Sequence, residues 1–119
     1  MSTYRRIAVV EDAGVSIVQF TDKKIVDSAT IEQLGDELNA LVTVEKRNML
    51  LLNFEGVDFL SSAALNKLIS LNSKVKAAGG RLKLCSLRKE IKEVFVITRL
   101  DRVFDLRKSV EDAMESFKL

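Results

Sequence analysis

The sequence predicts a single α/β domain: a mostly parallel or mixed sheet of four to five strands, about four helices, and an antiparallel hairpin at its N-terminal end. Three observations predict it. Apolar runs short enough for buried strands alternate with stretches whose apolar residues recur every three or four positions. Such alternation requires a mostly parallel sheet with helices on its faces, wound through right-handed crossovers. The first two strand candidates are joined by turn chemistry instead of a helix, which makes them a hairpin. Finally, the 119 residues contain no proline and no Ser/Gly-rich linker, and 47% hydrophobic with 30% charged residues is the composition of an ordered globular chain. That length supports one core and not two, so residues 1–119 read as one domain.

The elements follow in order. Ile7 to Val10 and Val15 to Phe20 are strands, with Glu11-Asp12-Ala13-Gly14 as the turn between them. In the second strand Val15 and Ile17 alternate with Val18 and Phe20, so both faces are partly covered. Thr21 to Lys24 is polar and breaks the pattern. Ile25-Val26 leads into Asp27-Ser28, a helix-capping signal, and from Thr30 the positions Ile31, Leu34, Leu38, Leu41 and Val42 make one buried stripe. Met49 to Phe54 is the central strand. A turn containing Gly56 and Asp58 follows, then a second apolar step of Val57, Phe59 and Leu60. The next helix spans Ser62 to Ala78 with Leu65, Leu68, Ile69 and Leu71, and Gly79-Gly80 stops it. Arg81 to Leu84 is a strand; Lys89 to Ile97 is a helix carrying Ile91, Val94 and Phe95 on one side. Val103 to Leu106 is a last short strand or extended segment. Ser109-Val110-Glu111-Asp112 opens a final helix with Val110, Ala113, Met114 and Phe117 facing inward.

Composition narrows the chemistry. Without histidine the chain lacks the commonest general base and metal ligand. One cysteine, Cys85, forms neither an intrachain disulfide nor a Cys-rich zinc site, and in its strand setting it reads as a small buried hydrophobe. No carboxylate pair is singled out for acid–base work, and no GxGxxG or phosphate-cradling loop is present. We therefore expect no enzyme activity, no cofactor and no metal. A net charge of +2 gives no field for nucleic acid, and no apolar run approaches the roughly 20 residues that cross a bilayer. The opening Met1-Ser2-Thr3-Tyr4-Arg5-Arg6 has no apolar leader, which makes a cytoplasmic location the default.

Three features can carry function, each beside a plainer reading. Ser61-Ser62 stands where a strand end meets a helix start. There it is a helix cap or a phosphoacceptor pair, because the free N–H groups and the helix dipole tolerate added negative charge. Asp27-Ser28-Ala29-Thr30 is explained as a cap or as part of a binding surface. Arg88, Lys89, Lys92, Arg99, Arg102, Arg107 and Lys108 are interspersed with Glu90, Glu93, Asp101 and Asp105, which favours a solvated mixed-charge surface.

Taken together, these residues resemble the STAS domain, and within it the single-domain anti-sigma factor antagonists (anti-anti-sigma factors). Val26-Asp27, Thr30-Ile31 and Leu34 match the family's first-helix signature, Asn53 its central-strand end, and Gly79-Gly80 its glycine pair. Phe59-Leu60-Ser61-Ser62-Ala63-Ala64-Leu65 lies over its switch motif. In that motif Ser61 replaces the usual aspartate, Ala63 the second hydroxyl, Ala64 a glycine and Asn66 another. Ile97 to Phe104 is similar to the turn into the last strand, with Arg99 where glycine is usual. The resemblance implies phosphorylation at Ser62, with Ser61 as second candidate, by a kinase-type anti-sigma factor. It implies a partner surface of Asp27, Thr30, Asn53, Ser61, Ser62, Ala63, Ala64 and Leu65, and resetting by a PP2C-type phosphatase. The alternatives are a STAS scaffold subunit that is never phosphorylated, and a small-molecule or nucleotide-binding module of the same fold.

Overall fold

A computed structural model describes residues 4–118; Met1 to Thr3, part of the opening stretch read above, lie outside the described residues. Strands β1 (Ile7–Asp12) and β2 (Val15–Phe20) form the expected antiparallel hairpin. Glu11 and Asp12 belong to β1 and not to the turn. Only Ala13 and Gly14 turn the chain, both at positive φ (52° and 82°). Two such residues form the I′ connection, whose twist matches the flanking strands.

The remaining elements are β3 (Lys24–Ile25), α1 (Ser28–Thr43), β4 (Met49–Asn53), β5 (Phe59–Leu60), α2 (Ser62–Ala77), β6 (Arg81–Cys85), α3 (Lys89–Ile97), β7 (Asp105–Arg107) and α4 (Val110–Phe117). A 3-10 turn, Leu100–Arg102, follows α3. The main sheet has five strands in the order β1-β2-β4-β6-β7, parallel except for the hairpin. The last strand lies at 105–107 instead of 103–106 because Phe104 turns into the core, 3% exposed, against Phe95. Arg99, where glycine was expected, takes a left-handed φ of 63°.

The larger core fills one side of the sheet. Leu50, Leu52, Leu82 and Leu84 meet Leu34, Leu38 and Leu41 of α1 and Leu68, Leu71 and Val75 of α2, joined by Ile91 and Phe95 of α3. The opposite side has a smaller cluster of Val15, Leu51, Cys85, Ala113 and Phe117, with Ile17, Val110 and Met114 packed on it under α4. Alternate residues of β2 and β4 thus enter different cores, which explains the uninterrupted apolar run of the central strand. One expectation fails here. Val94 does not face inward with Ile91 and Phe95 but is 40% exposed, because it sits at the rim of the buried stripe. At Gly80 the chain passes so close to β4 that an added Cβ would lie 2.1 Å from the Asn48 carbonyl oxygen.

Candidate functional site

The two residues of β3 and the two of β5 form a separate parallel ladder, Lys24 beside Phe59 and Ile25 beside Leu60. The sequence pattern did not announce this pairing. Its bonds run from Asp58 N–H to the Lys23 carbonyl (2.7 Å) and from Ser61 N–H to the Ile25 carbonyl (3.1 Å). Ile25 is 1% exposed and anchors the ladder in the larger core. Each strand runs directly into a helix, so the starts of α1 and α2 emerge side by side and the two helices pack on each other.

Asp27 caps α1 from an extended conformation, and its Oδ2 accepts a hydrogen bond from the Thr30 N–H at 3.1 Å. The Thr30 hydroxyl and backbone N–H hold the Asp27 carboxyl below its ordinary range, with Arg6 adding to the effect. Ser61 caps α2 in the same way: its Oγ accepts from the Ala64 N–H at 3.2 Å. The serine thus performs the capping task at the position where the family pattern has aspartate, using a neutral oxygen.

Ser62, the first helical residue of α2, is exposed, and its hydroxyl has no hydrogen-bond partner among the described residues. Ala63 is exposed beside it. Ala64 and Leu65 are buried at 1% and 7% and fix the helix to the core; Thr30 is buried at the matching place on α1. Asn53, 4% exposed, is the last residue of β4. Its Oδ1 accepts from the Glu55 N–H at 3.1 Å and sets the turn that leads toward β5. Asp27, Ser62 and Ala63 are therefore presented outward, while Ser61 is half-buried with its Oγ turned to its own helix. Thr30, Asn53, Ala64 and Leu65 reach a partner only through the surface they shape.

One neighbour was not foreseen. A hollow of about 260 Å³ opens between β5 and α3, lined by Phe59, Leu60, Leu65, Ile91, Val94 and Phe95, with Asp58 and Glu90 at its edge. The signal was present in the apolar Phe59, which follows the polar turn residue Asp58, and in Val94 next to the helical stripe. Among the described residues, two of the seven basic residues in the mixed-charge reading are paired: Arg88 bridges Asp58 (2.6 Å) and Glu90 (3.4 Å), and Arg107 pairs with Asp105 (2.7 Å).

The family model of the STAS domain matches residues 6–113. The chain belongs to the STAS family. A Bordetella bronchiseptica protein whose name describes an anti-sigma factor antagonist, BtrV, is 34% identical over 94 residues, covering 79% of this chain and 80% of that one. This places the chain among the anti-sigma factor antagonist relatives of the family. Solved structures share the fold at lower identity. A Thermotoga maritima anti-sigma factor antagonist structure superposes with a TM-score of 0.84 at 18% identity, covering 95% of both chains. The Bacillus cell-fate determinant SpoIIAA in its phosphorylated form gives 0.71 at 15% identity, covering 93% of this chain and 98% of that one. Among the described residues no helix is long and apolar enough to cross a membrane, and no group of three or more His, Cys, Asp or Glu is placed to hold a metal ion.

Proposed function

We propose that this STAS protein is a cytoplasmic, non-catalytic binding switch that sequesters a kinase-type anti-sigma factor when unphosphorylated and releases it on phosphorylation of Ser62. The observation that carries the reading is the unbonded, exposed Ser62 hydroxyl at the start of α2, beside the capped start of α1. A phosphoryl group there adds close to two negative charges and three acceptor oxygens. The fold accepts it, because free N–H groups and the helix dipole favour an anion at that position. A partner packed against a neutral hydroxyl does not, since the new charge must lose its water or push the partner away. Stability and binding therefore respond oppositely, which is what a switch requires.

Ser61 is the weaker acceptor because its oxygen already serves the Ala64 N–H. Support also comes from the family: the SpoIIAA structure superposed above was solved as a phosphoprotein. A PP2C-type phosphatase completes the cycle. The test is incubation with ATP and the cognate anti-sigma kinase, followed by mass-spectrometric mapping of the phosphate. We expect label on Ser62 and loss of partner binding by Ser62→Asp. Absence of label on both serines would leave the scaffold reading in its place.

A further inference from the structure

We propose that the hollow between β5 and α3 seats one apolar side chain of the protein partner, next to a cationic group of that same partner. The inference rests on the docking reading above and extends it to a second, adjoining contact. Exposed apolar surface is informative when it is clustered and concave. Here Phe59 is 55% and Val94 40% exposed, and they face each other across a floor of buried Leu60, Leu65, Ile91 and Phe95. Phe59 precedes Ser62 by three residues and Leu65 follows it by three, so Leu65 and Ser62 share one face of α2. A partner that covers Ser62 meets the hollow at the same time.

Charge at the rim selects the occupant. Asp58 and Glu90 line the mouth, and Arg88 is shared between them at 2.6 and 3.4 Å. Two carboxylates around one guanidinium leave the rim negative. On α3, Glu90 lies about 40° from Val94, whereas Lys89 and Lys92 lie about 140° and 160° away and point elsewhere. An anionic membrane or a nucleotide phosphate finds no unpaired cation at this mouth. A protein segment with an apolar anchor and an adjacent Arg or Lys finds both its needs met. The hollow, about 260 Å³, is also smaller than the roughly 300–1,000 Å³ of drug-sized ligand sites, which suits a single inserted side chain.

The test uses the full chain and three alanine-based helical peptides of 15 residues: one with Leu and Arg one turn apart, one with Leu and Glu, and one with Ala and Arg. Binding is followed by NMR shifts of the Leu60, Leu65 and Val94 methyls. We expect saturable shifts with the Leu/Arg peptide, about threefold weaker binding of Leu/Glu, and about tenfold weaker binding of Ala/Arg. Glu90→Lys should reverse the preference between Arg and Glu peptides, and Val94→Asp, on an exposed position, should abolish the shifts with the melting curve unchanged. Equal binding of all three peptides, shifts confined to another surface, or preferential uptake by phosphatidylserine vesicles would each overturn the assignment. Ser62 is intact throughout. A protein that takes the peptide but never accepts phosphate keeps the seat and loses the switch; the opposite result loses the seat alone.

Discussion

The starts of α1 and α2 solve one problem with two chemistries. Both follow a two-residue strand of the same ladder, and both satisfy the N–H three residues on, Thr30 in one case and Ala64 in the other. The α1 start uses a carboxylate and is negative at all physiological pH. The α2 start uses a hydroxyl and is followed by a second, exposed hydroxyl. The α1 cap carries a permanent charge and the α2 cap is neutral; on the proposed function, charge reaches the α2 start only when Ser62 is phosphorylated.

Breaking the ladder should have the largest effect, because it removes the reason the two starts are neighbours. Ile25 is nearly fully buried, and Ile25→Ala should cost about 2–5 kcal/mol in urea unfolding. Partner binding should fall with it even at temperatures where the variant is folded. A second break is chemical: Ser62→Asp should weaken partner affinity about tenfold or more by calorimetry while shifting stability by less than about 1 kcal/mol. Equal losses of both would make Ser62 a structural residue and end the comparison.

Much of this site was legible because it rests on local rules. Capping residues before an apolar stripe gave Asp27 and the Ser61-Ser62 pair, and the glycine pair gave the end of α2. The ladder was not legible. Lys24–Ile25 and Phe59–Leu60 are each two residues long, too short for any period to register, and they pair across more than thirty positions of sequence. Phe104 shows the same limit. Its apolar neighbours suggested a strand, yet tertiary contact with Phe95 pulled it into the core and moved the strand on by two residues at its start. Val94 was misplaced because the edge of a helical stripe is set by what packs beside it, and the main chain of α3 alone does not show that β5 stops short of covering it.

A smaller change sharpens the comparison by exchanging the caps. Ser61→Ala removes the acceptor for Ala64 N–H and should cost about 1 kcal/mol by urea titration. Ser61→Asp should keep that bond, stabilise the helix start by a few tenths of a kcal/mol, and place a permanent charge next to Ser62. If the optional charge at α2 is what the partner reads, Ser61→Asp should also weaken binding, though less than Ser62→Asp, since Ser61 is half-buried and its side chain is turned to its own helix.

The smallest effect, and the most selective, is in pH. The Asp27 carboxyl is held below its ordinary value of 3.8 in the folded chain, by Thr30 first and then by Arg6. A depressed carboxylate stabilises the fold fully above its unfolded value, and that contribution disappears as pH falls through the folded value. The α1 start should therefore loosen on acidification below about pH 4, while the α2 start, capped by a group that does not titrate, should not. Amide exchange at pH 3 against pH 6 reads this directly: protection of Thr30 and Ile31 should drop more than that of Ala64 and Leu65. In Asp27→Ser the two helix starts become chemically alike, and the difference between them should vanish. If it persists in that variant, the Asp27 cap is not the source of the acid sensitivity of α1.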